Sequence, residues 1–157
     1  MTDKKRGVLF VCLGNICRSP IAEAVFQHLI EQRNLTDKWF CDSAATAGYH
    51  VHSSPEMRAR NVLKRHSIET KHRARLLSSE DFTKFEYIFG MDKCNIDDIN
   101  SMKPKNAAAK VELLGSYDPN GEFIIEDPYY QSGEKAFEKN YEQCLRSCSA
   151  FLDRMNL

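Results

Sequence analysis

The chain has 157 residues, of which 42% are apolar and 28% charged, with 22 basic and 22 acidic side chains. That length suits one globular domain, residues 1–157, able to bury a core without disulfide or metal staples. The balanced charge argues against bulk nucleic-acid or anionic-membrane binding, while leaving room for a local positive site.

Met1 to Gly7 are polar and basic. The apolar run behind them, Val8 to Leu13, is too short for a signal core or a membrane span, so a soluble cytoplasmic chain is expected. Val8 to Cys12 reads as a strand buried on both faces. A helix then opens at Arg18 or Ser19, with Pro20 in its first turn, where proline costs least. Ile21, Ala22, Val25, Phe26, Leu29 and Ile30 give it an apolar stripe. Trp39 to Ser43 predicts a second strand. Pro55 is expected to start a second helix behind caps at Ser53 and Ser54. Tyr87 to Met91 predicts a third strand, Asp92 to about Ser101 a helix, and Val111 to Leu114 a fourth strand. Phe137, Tyr141, Cys144, Leu145, Cys148, Leu152 and Met155 recur at spacings of three and four and predict a long final helix. Strands alternating with helices predict an α/β fold with a parallel sheet covered on both faces. Ligands in such sheets bind beyond the C-terminal strand ends, and the first strand ends at Cys12.

Six cysteines are present: Cys12, Cys17, Cys41, Cys94, Cys144 and Cys148. Without a secretory signal they read as reduced thiols. Cys12 and Cys17 lie five apart with no matching second pair flanked by histidine, which argues against zinc. No metal or cofactor is expected.

The segment Cys12-Leu13-Gly14-Asn15-Ile16-Cys17-Arg18-Ser19 joins a buried strand to a helix N-terminus, a placement that suits an anion. Gly14 and Asn15 tolerate the left-handed backbone such a loop needs. The lysine of a nucleotide-binding P-loop is missing, and a cysteine and an arginine stand in its stead. A free thiol, with an ordinary pKa near ~8.5, is only about 3% ionised at neutral pH. Loop amides, the helix end and Arg18 would each favour the thiolate, and the same groups would hold a phosphate. Arg18 offers a planar fork matched to two phosphate oxygens. A cup of donors also suits the charge that spreads over three equatorial oxygens during phosphoryl transfer. Ser19 is placed to donate to the sulfur, helping it to form as thiolate and to leave again. The plainer reading of Cys12, a buried and inert core cysteine, leaves the ordered set of strand, Cys, Gly-Asn, Arg-Ser and helix without a reason.

Expulsion of a phenolate needs an acid. Two Asp-Pro dipeptides are available, and Asp118-Pro119-Asn120-Gly121 has the composition of a turn. Asp127 is the preferred acid, because Tyr129 and Tyr130 follow it and aromatic walls both receive a substrate ring and partly desolvate a carboxyl.

The run Val11-Cys12-Leu13-Gly14-Asn15-Ile16-Cys17-Arg18-Ser19-Pro20 resembles the signature of the low-molecular-weight protein tyrosine phosphatases. The resemblance continues through Asp42-Ser43-Ala44, Asp81-Phe82, Tyr87-Ile88-Phe89-Gly90-Met91-Asp92, Leu113-Leu114-Gly115 and Ile125-Glu126-Asp127-Pro128-Tyr129-Tyr130. It implies a single-domain, four-stranded parallel sheet with helices on both sides. It also implies hydrolysis of phosphotyrosine and small aryl phosphates through a phosphocysteine, with Cys12 as nucleophile, Arg18 binding phosphate and Asp127 as general acid and base. Leu13, Gly14, Asn15, Ile16, Cys17 and Ser19 would line the phosphate cup, and Tyr49, Tyr129 and Tyr130 the cleft. Tyr49 stands where the family often has tryptophan and, with His50 beside it, bears on substrate preference. His72, Asp92 and Ser43 carry over as supports, His72 and Asp92 holding the loop through Ser19 and Asn15. Tyr129 and Tyr130 carry over as phosphorylation sites, and Cys17 as a disulfide partner of Cys12 that makes the enzyme redox-regulated. Its partners would be phosphotyrosine-containing proteins, and the enzyme a monomer. Two rival readings are an arsenate reductase on the same fold, which Cys94 makes worth naming, and a non-catalytic phosphotyrosine-binding module.

Overall fold

Four strands run parallel in one sheet in the order β2-β1-β3-β4: β1 (Arg6–Cys12), β2 (Trp39–Ala45), β3 (Tyr87–Gly90) and β4 (Lys110–Leu113). The computed structural model describes residues 4–155, so the outermost ends of the expected domain, 1–3 and 156–157, lie outside the described residues. Helices α1 (Arg18–Gln32), α2 (Met57–Arg65), α3 (Asp81–Lys84), α4 (Lys93–Met102) and α5 (Lys135–Met155) complete the unit. Among the described residues no helix is long and apolar enough to cross a membrane.

The strand period of two explains the two covered faces. Val8, Phe10 and Cys12 of β1 pack with α1, α2 and α5, whereas Leu9 and Val11 pack with Phe82, Phe85, Ile88 and Ile99 on the other side. β1 is thus buried on both faces, as a continuous apolar run should be. On the first face Phe151 of α5 meets the rings of Phe26, Trp39, Tyr87, Phe89 and Tyr117 at centroid distances from 5.0 to 6.3 Å.

The expected elements appear with shifted ends. β2 continues two residues past Ser43, with Ala45 paired to Cys12. Ser53 and Ser54 do not cap α2. Its N-cap is Glu56, which follows Pro55 in extended conformation and accepts from Arg58 N at 2.7 Å. Asp92 is a cap of α4, in a reciprocal capping box with Asn95, and Met91 lies beyond the end of β3. Leu114 opens a short 3-10 helix, Leu114–Tyr117, instead of closing β4. The four-residue α3 is too short for any periodicity to announce it.

Chain order reverses between β1 and β3: the first crossover places β2 on one side of β1, and the next returns to place β3 on the other. The crevice outside the carboxyl ends of these strands is where a parallel sheet receives a ligand.

Candidate active site

Cys12 closes β1 and Arg18 opens α1, so the five residues between them must turn a strand into a helix. Asn15 makes the turn, with φ at 59°, while Gly14 is not left-handed. The small size of Gly14 has another reason: a Cβ there would sit 3.0 Å from His50 Cδ2. α1 begins without a side-chain cap and with no acidic residue in its first turn, which leaves its end suited to an anion.

A fully buried amide fixes the loop from behind. Asn15 Nδ2 donates to Ser19 Oγ at 2.8 Å and to Ser43 Oγ at 2.9 Å. Its Oδ1 accepts from Arg75 N at 3.1 Å and faces His72 Nε2 at 2.6 Å, so this ring nitrogen carries a proton. Every hydrogen-bonding position of the amide is used, as a fully buried polar group requires. The network runs on through Arg75, whose guanidinium bonds Asp42 at 3.1 Å and both oxygens of Asp81 at 3.0 Å. Glu23 receives Ser43 Oγ at 2.5 Å and lies 3.1 Å from His72 Nδ1. Burial, with Asp42 adding to it against the opposing Ser43 hydrogen bond, pushes the Glu23 carboxyl up to about 7; burial likewise lowers the His72 pKa.

On the open side, Cys12 Sγ lies 2.9 Å from Ser19 Oγ. Arg18 is buried, and its Nη1 donates to Asp92 Oδ2 at 2.6 Å and to the Ile125 carbonyl at 3.0 Å. Among the described residues its Nε and Nη2 carry no hydrogen bond; Nη2 lies 3.9 Å from Asp127 Oδ2. Burial opposes the arginine charge, but the Cys12 sulfur and the two aspartates outweigh it and raise the pKa. Asp92 therefore acts on Arg18, not on Ser19 or Asn15 as expected from the sequence. As the cap of α4, Asp92 follows the carboxyl end of β3, and its carboxylate is used by Asn95 N and Arg18 Nη1.

A cleft of about 60 Å³ opens here, lined by Cys12, Leu13, Gly14, Ile16, Cys17, Arg18, Tyr49, His50, Asp127, Tyr129 and Tyr130. Asn15 and Ser19, expected among the lining residues, lie behind it, because their side chains are used to hold the loop. Tyr49 and Tyr130 stand almost free, 76% and 89% exposed, whereas Tyr129 is less exposed, at 38%, and leans on His50. Asp127 Oδ1 accepts from Tyr129 N at 3.1 Å. Asp118 is elsewhere: its carboxylate is buried in a two-point pair with Arg146, which with Asn120 N holds its pKa below the ordinary value against the cost of burial. Of the other thiols, Cys17 lines the cleft, and burial followed by Cys12 and Asp127 pushes its pKa up. Cys144 and Cys148 are core residues of α5, and Cys94 is exposed on α4.

Arg75 and Glu23, which complete the loop support, were not foreseen. Arg75 meets Asn15 from sixty positions away through its backbone N–H, a contact that leaves no mark in residue type.

The family model for low molecular weight phosphotyrosine protein phosphatases matches residues 7–157. A rat protein of that description is 54% identical over 151 residues, covering 95% of each chain. Among solved structures, a protein tyrosine phosphatase from Entamoeba histolytica superposes with a TM-score of 0.92 at 35% identity, covering 97% of both chains. A Drosophila arginine phosphatase does so with a TM-score of 0.91 at 42% identity, covering 96% of this chain and 98% of its own.

Proposed function

The chain belongs to the low molecular weight phosphotyrosine protein phosphatase family, and on that premise we propose that it hydrolyses phosphotyrosine in proteins, and small aryl phosphates, through a phosphocysteine on Cys12. One observation carries the reading: the Cys12 sulfur sits on the floor of a cleft, touched by the Ser19 hydroxyl, with the Arg18 guanidinium and the Asp127 carboxyl lining the same cleft. A core cysteine would have no such company.

In this mechanism the Cys12 thiolate attacks phosphorus opposite the aryl oxygen. The sulfur–phosphorus bond forms as the phosphorus–oxygen bond breaks. Because Nη1 of Arg18 is committed to Asp92 and Ile125, its Nε and Nη2 form the fork for two equatorial oxygens. Asp127 gives its proton to the departing phenolate, then takes one from the water that attacks the phosphocysteine. Ser19 donates to the sulfur as it leaves. Tyr129 and Tyr49 flank the ring. The reaction needs a reduced thiol, which favours a reducing compartment such as the cytoplasm.

The arginine phosphatase among the neighbours makes phosphoarginine the competing substrate. The aromatic walls and the acid poised for a phenolate favour phosphotyrosine. The test is turnover of phosphotyrosine and phosphoarginine peptides by the wild type and by Cys12→Ser, with 32P trapping at low pH. Phosphotyrosine turnover, a labelled cysteine peptide and a dead Cys12→Ser protein are expected. A folded Cys12→Ser variant that still turns over would end the covalent reading, and a preference for phosphoarginine would reassign the substrate.

A further inference from the structure

The loop that carries Asp127 has little backbone bonding of its own. From Glu126 to Gly133 it forms neither helix nor strand, and its one internal main-chain bond is Gln131 N to the Pro128 carbonyl at 3.1 Å. A catalytic acid on such a segment needs an outside clamp, because a displacement of about 1 Å can cost about a hundredfold in rate.

Arg58, in the first turn of α2, supplies three carbonyl contacts to that loop. Its Nη2 donates to the Tyr129 carbonyl at 2.9 Å, and its Nη1 donates to the carbonyls of Gln131 and, at 3.3 Å, Gly133. The guanidinium lies over the Phe137 ring at 4.4 Å, and its Nε bonds Glu56 Oε1 at 3.0 Å. Glu56 in turn donates its own N–H to the Ile16 carbonyl of the phosphate loop at 2.7 Å. A continuous chain of contacts thus joins the loop after Cys12 to the loop after Asp127. Its last link is the Tyr129 residue itself: Arg58 holds its carbonyl, and its N–H holds Asp127 Oδ1, with Oδ2 on the side of Arg18.

We propose that Arg58 is a positioning residue for the acid, setting where the Asp127 carboxyl stands relative to the Cys12 cleft without touching substrate. The proposal rests on the general-acid role given to Asp127 above. Lysine cannot replace the arginine, because an ammonium on a flexible stem cannot span three carbonyls while lying flat on Phe137.

The experiment measures kcat/KM for aryl phosphates over a range of leaving-group basicity in wild type, Arg58→Ala, Arg58→Lys, Asp127→Ala and the Arg58→Ala/Asp127→Ala double variant. Loss of the clamp should cost about 10- to 100-fold with basic leaving groups and less than about threefold with good ones. Arg58→Lys should fall between, nearer to alanine. In the Asp127→Ala background, Arg58→Ala should add nothing to the leaving-group dependence. A purely structural role would lower every substrate by one factor, and that result overturns the proposal, as does a wild-type profile for a folded Arg58→Ala. Should Arg58→Ala fail to fold, Arg58→Lys, which keeps the charge and the stem, decides by the same profile. If Asp127→Ala itself matches the wild-type profile, the acid assignment fails first and independently.

Discussion

Ser19 Oγ lies 2.9 Å from Cys12 Sγ while accepting a hydrogen bond from Asn15 Nδ2 at 2.8 Å. The amide occupies one acceptor position of the hydroxyl and leaves its hydrogen free to point at the sulfur, where it serves a thiolate as donor. Asn15 can do this because its own Oδ1 is held by His72 and Arg75 N.

Removing that donor should slow the step in which sulfur leaves phosphorus. A hydrogen bond to a charged group contributes about 1.5–3 kcal/mol, so Ser19→Ala should lose about 10- to 150-fold in kcat. A stopped-flow burst of phenol followed by slow turnover is the expected trace. A kcat within threefold of wild type would show that the serine does not serve the leaving sulfur.

The two Asp-Pro dipeptides should separate cleanly. Asp127→Asn should lose rate chiefly with basic leaving groups. Asp118→Asn should leave the leaving-group dependence untouched and instead lower stability by about 1–3 kcal/mol, since it removes the charge facing Arg146. Urea unfolding and a series of substituted phenyl phosphates distinguish the two; a leaving-group effect in Asp118→Asn would reverse the assignment.

Glu23 gives the fold a pH dependence of defined sign. Its carboxyl keeps a proton up to about 7 in the folded state, against an ordinary value of 4.5. The folded state therefore binds more protons than the unfolded one between these values, and stability falls as pH rises through that window. Glu23→Gln carries no such loss. Relative to wild type it should gain stability from pH 5 to pH 8, by up to about 3 kcal/mol. His72, 3.1 Å from Glu23, has a lowered pKa that makes stability fall as pH drops below its ordinary value of 6.5, so its contribution has the opposite sign to that of Glu23. A difference in unfolding free energy that does not change with pH would refute the raised Glu23 pKa.

Phe151 should be the costliest single truncation in the aromatic cluster tested. It touches five rings and is fully buried, so Phe151→Ala should destabilise by about 3–5 kcal/mol. Chemical denaturation measures this directly. A cost under about 1 kcal/mol would mean that α5 repacks without it.

The sequence alone determined the order of the four strands and the longer helices, because β1 is an unbroken apolar run and α5 an apolar stripe at helical spacing, both local patterns. It also determined the strand–Cys–Gly-Asn–Arg-Ser–helix segment, since the nucleophile, the cation and the helix end that an anion needs are all within eight residues. Asp127 was preferred over Asp118 because Tyr129 and Tyr130 follow it; the burial of Asp118 against Arg146 was not legible, as its partner lies on a distant helix. Tertiary structure decided the rest. Asn15 and Ser19 support the cleft from behind its lining, Asp92 serves Arg18, Glu56 rather than a serine caps α2, and Arg58 reaches a loop more than seventy residues away. Such contacts are made by whichever donor the folded backbone carries into place. A buried carbonyl or amide will accept any donor that arrives in the right geometry, so residue type in the chain does not announce the partner; only the packing of β1, α2 and α5 against one another does.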